Sequence, residues 1–398
     1  MSKRSSRAAA LVLSLMMALV MVVSAPSAYA CTSIQLESKE GDPYWFRTCD
    51  MDDSYNVFGE NGSYIASSYL VSYPAGVPIE LALETITPEH TVIGMSFSDS
   101  KAMLDGVNDA GLICGLQDFS LGTQTELEKA PKGERMLAAM ESVTWFLAQC
   151  SNVEEVKELA EKTHVKAALV EGVLGSDLSA TVHLSFVDAD NNSIVLEAAD
   201  PENPGRFTVY ESIGVMANTP GYDECLDYLD AYVEGSTELH HRGFTEIELN
   251  GQKFGGEVEE HKTFPASYAS RDRFVRTAIM RFLADGGKEI ANKDMLCMGS
   301  DLMNTVSAQK ENGKNVYYYD YIDENGEVQA FDADIYTQYT VCYDSARKSV
   351  AIRPYDSDVW TSLSIEDVPT DARATFPIHR GAEGATISAL DVKEAQAK

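Results

Sequence analysis

The pattern of apolar and polar positions predicts strands towards both ends of the chain and helices between them. Alternation over residues 32–36 and 43–47 indicates two strands joined by the turn at 40–42. From residue 133 to 163 the period becomes helical, and Ser151 with Glu154 predicts a capping box that opens a second helix. Further elements are expected as a helix at 271–284 and as strands at 181–188, 193–198, 207–210, 316–322, 328–331, 337–342 and 349–353.

The order of these elements favours an α+β fold. Strands and helices follow each other in blocks without regular βαβ alternation, which is typical of helices packed on antiparallel sheets. After residue 355 the composition turns to Asp, Pro, Ala and Gly, so we expect a surface or disordered tail. The chain is therefore divided into residues 1–30, one large domain at 31–355 and a C-terminal tail at 356–398.

Residues 1–30 have the pattern of a cleaved signal peptide. Three basic residues precede an apolar stretch at 8–23, and Ala28-Tyr29-Ala30 has the small-x-small pattern that signal peptidase recognises. An uncleaved anchor is disfavoured because a spanning helix needs about 18 or more apolar residues. A lipoprotein signal usually has Leu or Val where Ala28 stands. We therefore expect an exported protein without stable membrane insertion, whose mature chain begins at Cys31.

Composition and charge exclude several classes of function. With 398 residues, 44% of them hydrophobic, the chain can bury a large core. The formal charge of -31 repels phosphate backbones, so we expect no nucleic-acid partner. Seven cysteines are an odd number for an exported protein, so at least one is expected to be free or paired between chains.

No cofactor or metal is expected from the motifs. The chain has neither a G-x-G-x-x-G sequence nor a P-loop, and no H-E-x-x-H pair. A metal site is not favoured at His240, His241, Glu259, Glu260 and His261, which we interpret as solvated loop residues.

The predicted cleavage site carries the candidate chemistry. Removal of Ala30 would give Cys31 both a thiol and an α-amine, whose pKa near ~7.7 to 8.0 suits a general base. Arg47 and Asp50 stand at the end of the neighbouring predicted strand, where the cation favours a thiolate and the carboxylate orients the amine. The alternatives are a stray cysteine at a processing site and a surface ion pair.

These residues resemble the choloylglycine hydrolase family, which contains conjugated bile-salt hydrolases and penicillin V acylases. The resemblance extends over nearly the whole chain from Cys31 to about Tyr355 and rests on the order and spacing of several blocks. The blocks are Cys31-Thr32-Ser33, Arg47-Thr48-Cys49-Asp50, Leu104-Asp105-Gly106-Val107-Asn108, Trp145-Phe146-Leu147-Ala148, Ala217-Asn218-Thr219-Pro220, Ser270-Arg271-Asp272-Arg273-Phe274 and Thr337-Gln338-Tyr339-Thr340.

The resemblance implies an αββα sandwich and a mechanism. The thiolate of Cys31 attacks the amide carbonyl and forms a thioester, which water hydrolyses with the α-amine as base. Asp50 orients the amine, Arg47 lies beside the sulfur, Asn218 donates to the oxyanion, and Arg273 completes the electrostatic setting of the thiol. Without the resemblance, Asn218 reads as a turn residue and Arg273 as an ordinary helix cation. Family members are commonly tetramers, which implies a homotetramer.

Asp118 departs from the family pattern. Family members have Asn or Tyr before the phenylalanine that follows the D-G-x-N block, whereas this chain has Asp118 before Phe119. A carboxylate does not donate to an oxyanion, so either the backbone N–H serves there or Asp118 binds a different kind of substrate. The segment at 240–262 and the sequence Glu224-Cys225-Leu226 also match poorly.

Two classes of function follow. The first is an exported amidase acting on a small-molecule N-acyl amide, with a conjugated bile salt favoured and penicillin V or an acyl homoserine lactone as alternatives. The second is a non-catalytic exported binding protein with the same fold, which would be favoured if Cys31 were not the mature N-terminus.

Overall fold

The computed structural model describes residues 29–52, 70–96, 100–168, 170, 181–236, 239–240, 242–256, 264–309, 316–322, 328–355, 357–376 and 378. For residues 29, 30, 52, 316–322 and 328–335 only the backbone is described. Nearly all of the predicted signal segment lies outside these ranges.

The described elements are strands and helices in the block order that the sequence predicts. The strands are β1 (Tyr29–Glu37), β2 (Pro43–Asp52), β3 (Leu70–Tyr73), β4 (Ile79–Glu80), β5 (Thr85–Ile86), β6 (Val92–Ser96), β7 (Met103–Asn108), β8 (Ile113–Asp118), β9 (Arg135–Ala138), β10 (Thr163–Lys166), β11 (Val182–Val187), β12 (Ser193–Glu197), β13 (Thr208–Glu211), β14 (Val215–Met216), β15 (Glu246–Leu249), β16 (Gln252–Gly255), β17 (Val316–Ile322), β18 (Val328–Asp344), β19 (Ser349–Pro354), β20 (Thr361–Ser364) and β21 (Ala374–Phe376). The α-helices are α1 (Ser142–Gln149), α2 (Val153–Ala160), α3 (Tyr222–Gly235), α4 (Ser270–Leu283) and α5 (Asn292–Asn304).

Two large sheets form the centre of the molecule. Sheet I has the order β14-β1-β2-β18-β19-β20, with β17 also paired to β18. Sheet II has the order β13-β12-β11-β8-β7-β6-β3-β21. The neighbouring strands within each sheet are antiparallel, as expected for an α+β fold without βαβ units.

Strand β2 shows how the layers pack, because its successive side chains point to opposite faces. Trp45 points into the space between the sheets and lies over Gly115 of β8, where an added Cβ would stand 2.1 Å from the indole ring. Phe46 points the other way and lies against Gly299 of α5, where a Cβ would stand 2.2 Å from its ring. Glycine is therefore required at both contacts for the layers to approach.

The helices cover the outer faces of both sheets. Helices α3, α4 and α5 share one apolar core with the outer face of sheet I. Helices α1 and α2 share the other core with sheet II and the inner face of sheet I. The order of layers is helix, sheet, sheet, helix, which confirms the predicted αββα sandwich.

The sequence predictions agree with most of the elements near Cys31. The hairpin of β1 and β2 is confirmed, although β1 begins at Tyr29 rather than at Thr32. The helix expected at 271–284 is α4, displaced by one residue. The strands expected at 328–331 and 337–342 are one continuous strand, β18.

The helical prediction for residues 133–163 is wrong at both ends. Residues 135–138 form β9, which pairs in parallel with β10 from Thr163 onward. Between them lie a 3₁₀ helix at Ala139–Glu141 and the helices α1 and α2. The predicted capping box is displaced by one residue. Asn152 caps α2 by accepting from the Glu155 backbone N–H at 3.0 Å, and the Glu155 carboxylate accepts from the Ser151 N–H at 2.6 Å.

The chain after Tyr355 adds a strand to each sheet. Strand β20 pairs with β19 in sheet I, and β21 pairs with β3 in sheet II. The sequence predicts no element there, because both strands are short and lie in a polar segment. The division of the chain into a domain and a tail stays a prediction.

Candidate active site

Cys31 lies inside sheet I, buried at 1% exposure, with β2 on one side and β14 on the other. The hairpin register pairs Cys31 with Cys49 and Ser33 with Arg47. Because side chains alternate along a strand, all four of these side chains share the face of sheet I that meets sheet II. The local alternation of the sequence thus puts a thiol and a guanidinium into the same buried layer.

Three donors surround the sulfur of Cys31. Arg47 Nη2 donates to Cys31 Sγ at 3.1 Å, and the Cys49 thiol and the Asp50 backbone N–H also donate hydrogen bonds to the sulfur. Burial alone raises the pKa of the Cys31 thiol. These hydrogen bonds and the Arg47 charge outweigh burial and hold that pKa well below its ordinary value. The site is therefore built to hold a thiolate.

A buried carboxylate fixes Arg47. Arg47 Nη1 donates to Asp105 Oδ2 and to the Leu104 carbonyl oxygen, both at 2.7 Å. The hydroxyls of Tyr339 and Tyr343 donate to the two oxygens of the same carboxylate. Burial raises the pKa of Asp105, although the guanidinium and the two hydroxyls oppose it. Asp105 orients the guanidinium so that its second nitrogen faces the sulfur.

Asn218 lies beside the backbone nitrogen of Cys31. Strand β14 pairs Met216 with Ser33 in an antiparallel register, so Asn218, two residues further along, lies opposite Cys31. The Cys31 N–H donates to Asn218 Oδ1 at 2.6 Å, and Asn218 Nδ2 donates to the Asp118 carbonyl oxygen at 3.0 Å. One amide side chain thus connects β1 to the end of β8.

Arg273 reaches the same atoms from helix α4 on the outer face. Its Nη1 donates to the Cys31 carbonyl oxygen at 2.7 Å and also to Thr32 Oγ1, and its Nη2 donates to Asn218 Oδ1 at 3.0 Å. The side chain is buried at 1% exposure. The guanidinium therefore fixes the main chain of Cys31 and the amide of Asn218 together.

Asp50 is fully buried on β2. Thr337 Oγ1 donates to Asp50 Oδ1 at 2.6 Å. Burial raises the pKa of Asp50 from its ordinary value of 3.8 to about 7, against the lowering effect of the Arg273 charge and the Thr337 hydroxyl. A carboxyl group with that pKa exchanges its proton near neutral pH.

A buried hydrogen bond between His183 and Glu197 supports the segment that carries Asn218. His183 Nδ1 lies 2.8 Å from Glu197 Oε1, and His183 Nε2 lies 2.9 Å from the Ala217 carbonyl oxygen. The same imidazole stacks on Phe119 with ring centroids 4.8 Å apart. His183 therefore contacts Ala217, which precedes Asn218, and Phe119, which follows Asp118.

The six predicted site residues have different positions relative to the sulfur. The structure brings Cys31, Arg47, Asp50, Asn218 and Arg273 into one buried cluster. Asp118 joins it through its main chain, since its carbonyl accepts from Asn218, and the residue as a whole is 8% exposed.

The sequence assigned no role to Asp105, Cys49, Thr337, Tyr339 or His183. The signal for Asp105 is present, because a carboxylate within an apolar run that forms a buried strand requires a partner. The other four give no comparable signal, since a Cys, Thr, Tyr or His in a strand is ordinary.

Three further features concern the remaining predictions. The poorly matched segment at 240–262 is described only in part, and Glu259, Glu260 and His261 lie outside the described residues. Among the residues that are described, no group of three or more His, Cys, Asp or Glu side chains is placed to hold a metal ion. No helix in that part of the chain is long and apolar enough to cross a membrane.

The αββα sandwich, with Cys31 inside the first strand of sheet I, has the fold of the N-terminal-nucleophile hydrolases. The chain belongs to the choloylglycine hydrolase family of linear amide C–N hydrolases, whose sequence profile matches residues 31–373. It is accordingly an enzyme of the amide C–N hydrolase type.

Curated relatives and solved structures agree with this membership. The chain is 25% identical to a bile salt hydrolase/transferase of Clostridium perfringens over 257 residues, covering 63% of this chain and 71% of that protein. It is 25% identical to a conjugated bile acid hydrolase of Lactobacillus acidophilus over 327 residues, covering 80% and 90%.

Two solved structures share the fold. A variant of conjugated bile acid hydrolase from Clostridium perfringens superposes with a TM-score of 0.67 at 20% identity, covering 90% of this chain and all of that chain. Penicillin V acylase from Agrobacterium tumefaciens superposes with a TM-score of 0.60 at 16% identity, covering 87% and 90%.

Proposed function

We propose that this chain is exported, loses residues 1–30, and hydrolyses a linear amide bond through a thioester on Cys31. The observation that carries the proposal is that the sulfur and the nitrogen of one residue are both held in a buried polar cluster. Arg47 Nη2 lies 3.1 Å from Cys31 Sγ, and Asn218 Oδ1 lies 2.6 Å from Cys31 N.

Cleavage after Ala30 would convert the backbone nitrogen of Cys31 from an amide into an amine. The nitrogen of an amide is not basic, whereas an α-amine with a pKa near ~7.7 to 8.0 takes up a proton at neutral pH. In the uncleaved chain Tyr29 and Ala30 continue β1 and pair with Met51 and Asp50. Their removal opens the space in front of the nitrogen while Asn218 and Arg273 still hold Cys31.

The reaction follows from these positions. The Cys31 thiolate attacks the carbonyl carbon, and the oxygen becomes an oxyanion to which the Asn218 amide donates. The C–N bond breaks as the protonated α-amine gives its proton to the leaving nitrogen. Water then attacks the thioester, the α-amine takes the proton of that water, and the carboxylic acid product leaves with the thiol restored.

A conjugated bile salt is the favoured substrate. The support is that relatives matched over most of the chain are named as bile salt or bile acid hydrolases. Penicillin V and other N-acyl amides, such as an acyl homoserine lactone, are the alternatives, because Asp118 departs from the family pattern next to Asn218. A carboxylate accepts hydrogen bonds, so Asp118 would suit a substrate with a donor group at that point.

The proposal is tested by a release assay on protein that begins at Cys31. Glycine- and taurine-conjugated bile salts and penicillin V are the substrates, and Cys31→Ala is assayed alongside. Cys297→Ala is the matched control, because Cys297 is exposed on α5 and outside the cluster. We expect release that Cys31→Ala abolishes and Cys297→Ala preserves.

Release by the Cys31→Ala variant would show that Cys31 is not the nucleophile. Absence of release on all three substrates, with an intact N-terminal cysteine, would favour another N-acyl amide or the non-catalytic binding protein. Equilibrium binding of the same compounds to the Cys31→Ala variant distinguishes these two outcomes.

A further inference from the structure

Cys31 has a second thiol directly beside it. Cys49 of β2 is its cross-strand partner in the antiparallel register, and both side chains are buried. The N–H groups of Cys31 and Gln35 point away from β2, because they donate to Asn218 Oδ1 and to the Gly214 carbonyl oxygen. Positions 31 and 49 therefore form a non-hydrogen-bonded pair of the hairpin.

The geometry of such a pair matches a disulfide. In a non-hydrogen-bonded antiparallel pair the Cα atoms lie about 4.5 Å apart and the side chains approach most closely. Disulfides bridge Cα atoms separated by roughly 4.4 to 6.8 Å. The two sulfurs already share a hydrogen bond, so no movement of either strand is needed to bring them into contact.

The charges around the pair favour a stepwise oxidation. The Cys31 thiolate faces Arg47, which makes it the more reactive of the two sulfurs. Burial raises the pKa of Cys49, and the hydrogen bond to Cys31 and the negative charge of that sulfur raise it further, while Arg47 lowers it. Oxidation of Cys31 removes that negative charge and leaves the Arg47 charge to favour ionisation of Cys49.

We propose that Cys49 is a resolving thiol that captures oxidised Cys31 in a reversible Cys31–Cys49 disulfide when the protein meets a peroxide. In the first step the Cys31 thiolate attacks one peroxide oxygen. The S–O bond forms, the O–O bond breaks and hydroxide leaves, so Cys31 becomes a sulfenic acid. In the second step Cys49 sulfur attacks Cys31 sulfur, the S–S bond forms, hydroxide leaves, and the Cys49 proton converts one hydroxide into water. The two sulfurs together lose two electrons, which reduce the peroxide.

The disulfide has a chemical consequence for the site. It removes the nucleophile reversibly, whereas a sulfenic acid without a partner thiol proceeds to an irreversible sulfinic acid. The inference rests on the proposed function only in taking Cys31 as the reactive thiolate. Formation of the Cys31–Cys49 disulfide therefore protects Cys31 from irreversible oxidation.

The test is peptide mapping after treatment with hydrogen peroxide. Free thiols are blocked by alkylation, and the protein is digested with trypsin, which cleaves after Lys39 and Arg47 and so separates the two cysteines. We expect a linked pair of peptides that contains Cys31 and Cys49, and that dithiothreitol separates. Conversion of Cys31 to its sulfinic acid in wild-type protein, without the linked pair, would overturn the proposal.

Variants of the two cysteines provide an independent test of the proposal. Cys49→Ala is expected to accumulate Cys31 sulfinic acid that dithiothreitol does not reverse, and Cys49→Ser serves if the alanine variant fails to fold. Cys297→Ala, which removes an exposed thiol, is the control and should form the linked pair normally. Equal protection of Cys31 with and without Cys49 would contradict the proposal. Because the mapping needs no substrate, its result is independent of whether the protein hydrolyses any of the amides tested.

Discussion

The buried ion pair that holds Arg47 gives the sharpest prediction for stability. Arg47 and Asp105 are 1% and 0% exposed, and their nitrogen and oxygen lie 2.7 Å apart. Asp105→Asn keeps the volume of the side chain but removes the charge, which leaves the buried guanidinium without its carboxylate partner. Breaking such a pair by removing one partner costs about 3 to 5 kcal/mol, and we expect the free energy of unfolding to fall by that amount.

A second ion pair in the same protein is the matched control. Lys253 Nζ lies 2.8 Å from Glu246 Oε1, and the two side chains are 62% and 46% exposed. Exposed pairs contribute about 0 to 1 kcal/mol, so Glu246→Gln should lower the free energy of unfolding by no more than that. Urea denaturation of wild type and both variants, followed by tryptophan fluorescence, measures the two differences. A loss for Asp105→Asn no larger than that for Glu246→Gln would refute the reasoning.

Three more predictions concern the cluster itself. Cys31→Ser should retain the fold by circular dichroism and lose turnover, because a hydroxyl is not ionised by the donors that hold the thiolate; a fully active variant would rule out the thiol. Asn218→Ala should lower kcat roughly 100- to 1,000-fold in steady-state assays, the usual cost of one oxyanion donor, and an unchanged kcat would place that donor elsewhere. The pKa of Asp50 is raised from 3.8 to about 7 by burial, so ionisation destabilises the fold increasingly as pH rises between these values. In the chain that retains Tyr29 and Ala30, the stability of Asp50→Asn relative to wild type should therefore increase by roughly 4 kcal/mol over that range, and urea titrations showing a constant difference would disprove it.

The half of the site that lies on the first hairpin is predictable from the sequence. Alternation and the turn at 40–42 define β1 and β2, and a period of two puts the side chains of residues 47 and 49 on the face of residue 31. The position of Arg47 on the face of Cys31 follows from this local pattern, which also puts Asp50 on the opposite face of β2.

The other half depends on contacts between distant parts of the chain. Asn218 and Arg273 lie 187 and 242 residues from Cys31 in sequence. No local period relates such residues, so only the resemblance to a family singled them out. Asp105 shows the intermediate case, because its charge in an apolar strand requires a partner but does not reveal which arginine it is.

The wrong helical prediction has the same origin. Residues 135–138 have an apolar spacing that suits a helix, yet they pair with β10 and place Leu137 and Ala138 in the core. Pairing with a distant strand outweighs the small energetic differences of intrinsic helix propensity. The strands after residue 355 are fixed in the same way, by the edges of sheets that are already formed.

The most direct test of the account is to compare two chains that differ by one residue, the first beginning at Cys31 and the second at Ala30. Intact mass verifies each N-terminus, and both are assayed for amide release on the substrate that gives the highest rate. The account predicts turnover by the first chain and none by the second, because the nitrogen of Cys31 remains an amide there. Equal rates would contradict the central claim that the α-amine of Cys31 acts as the base.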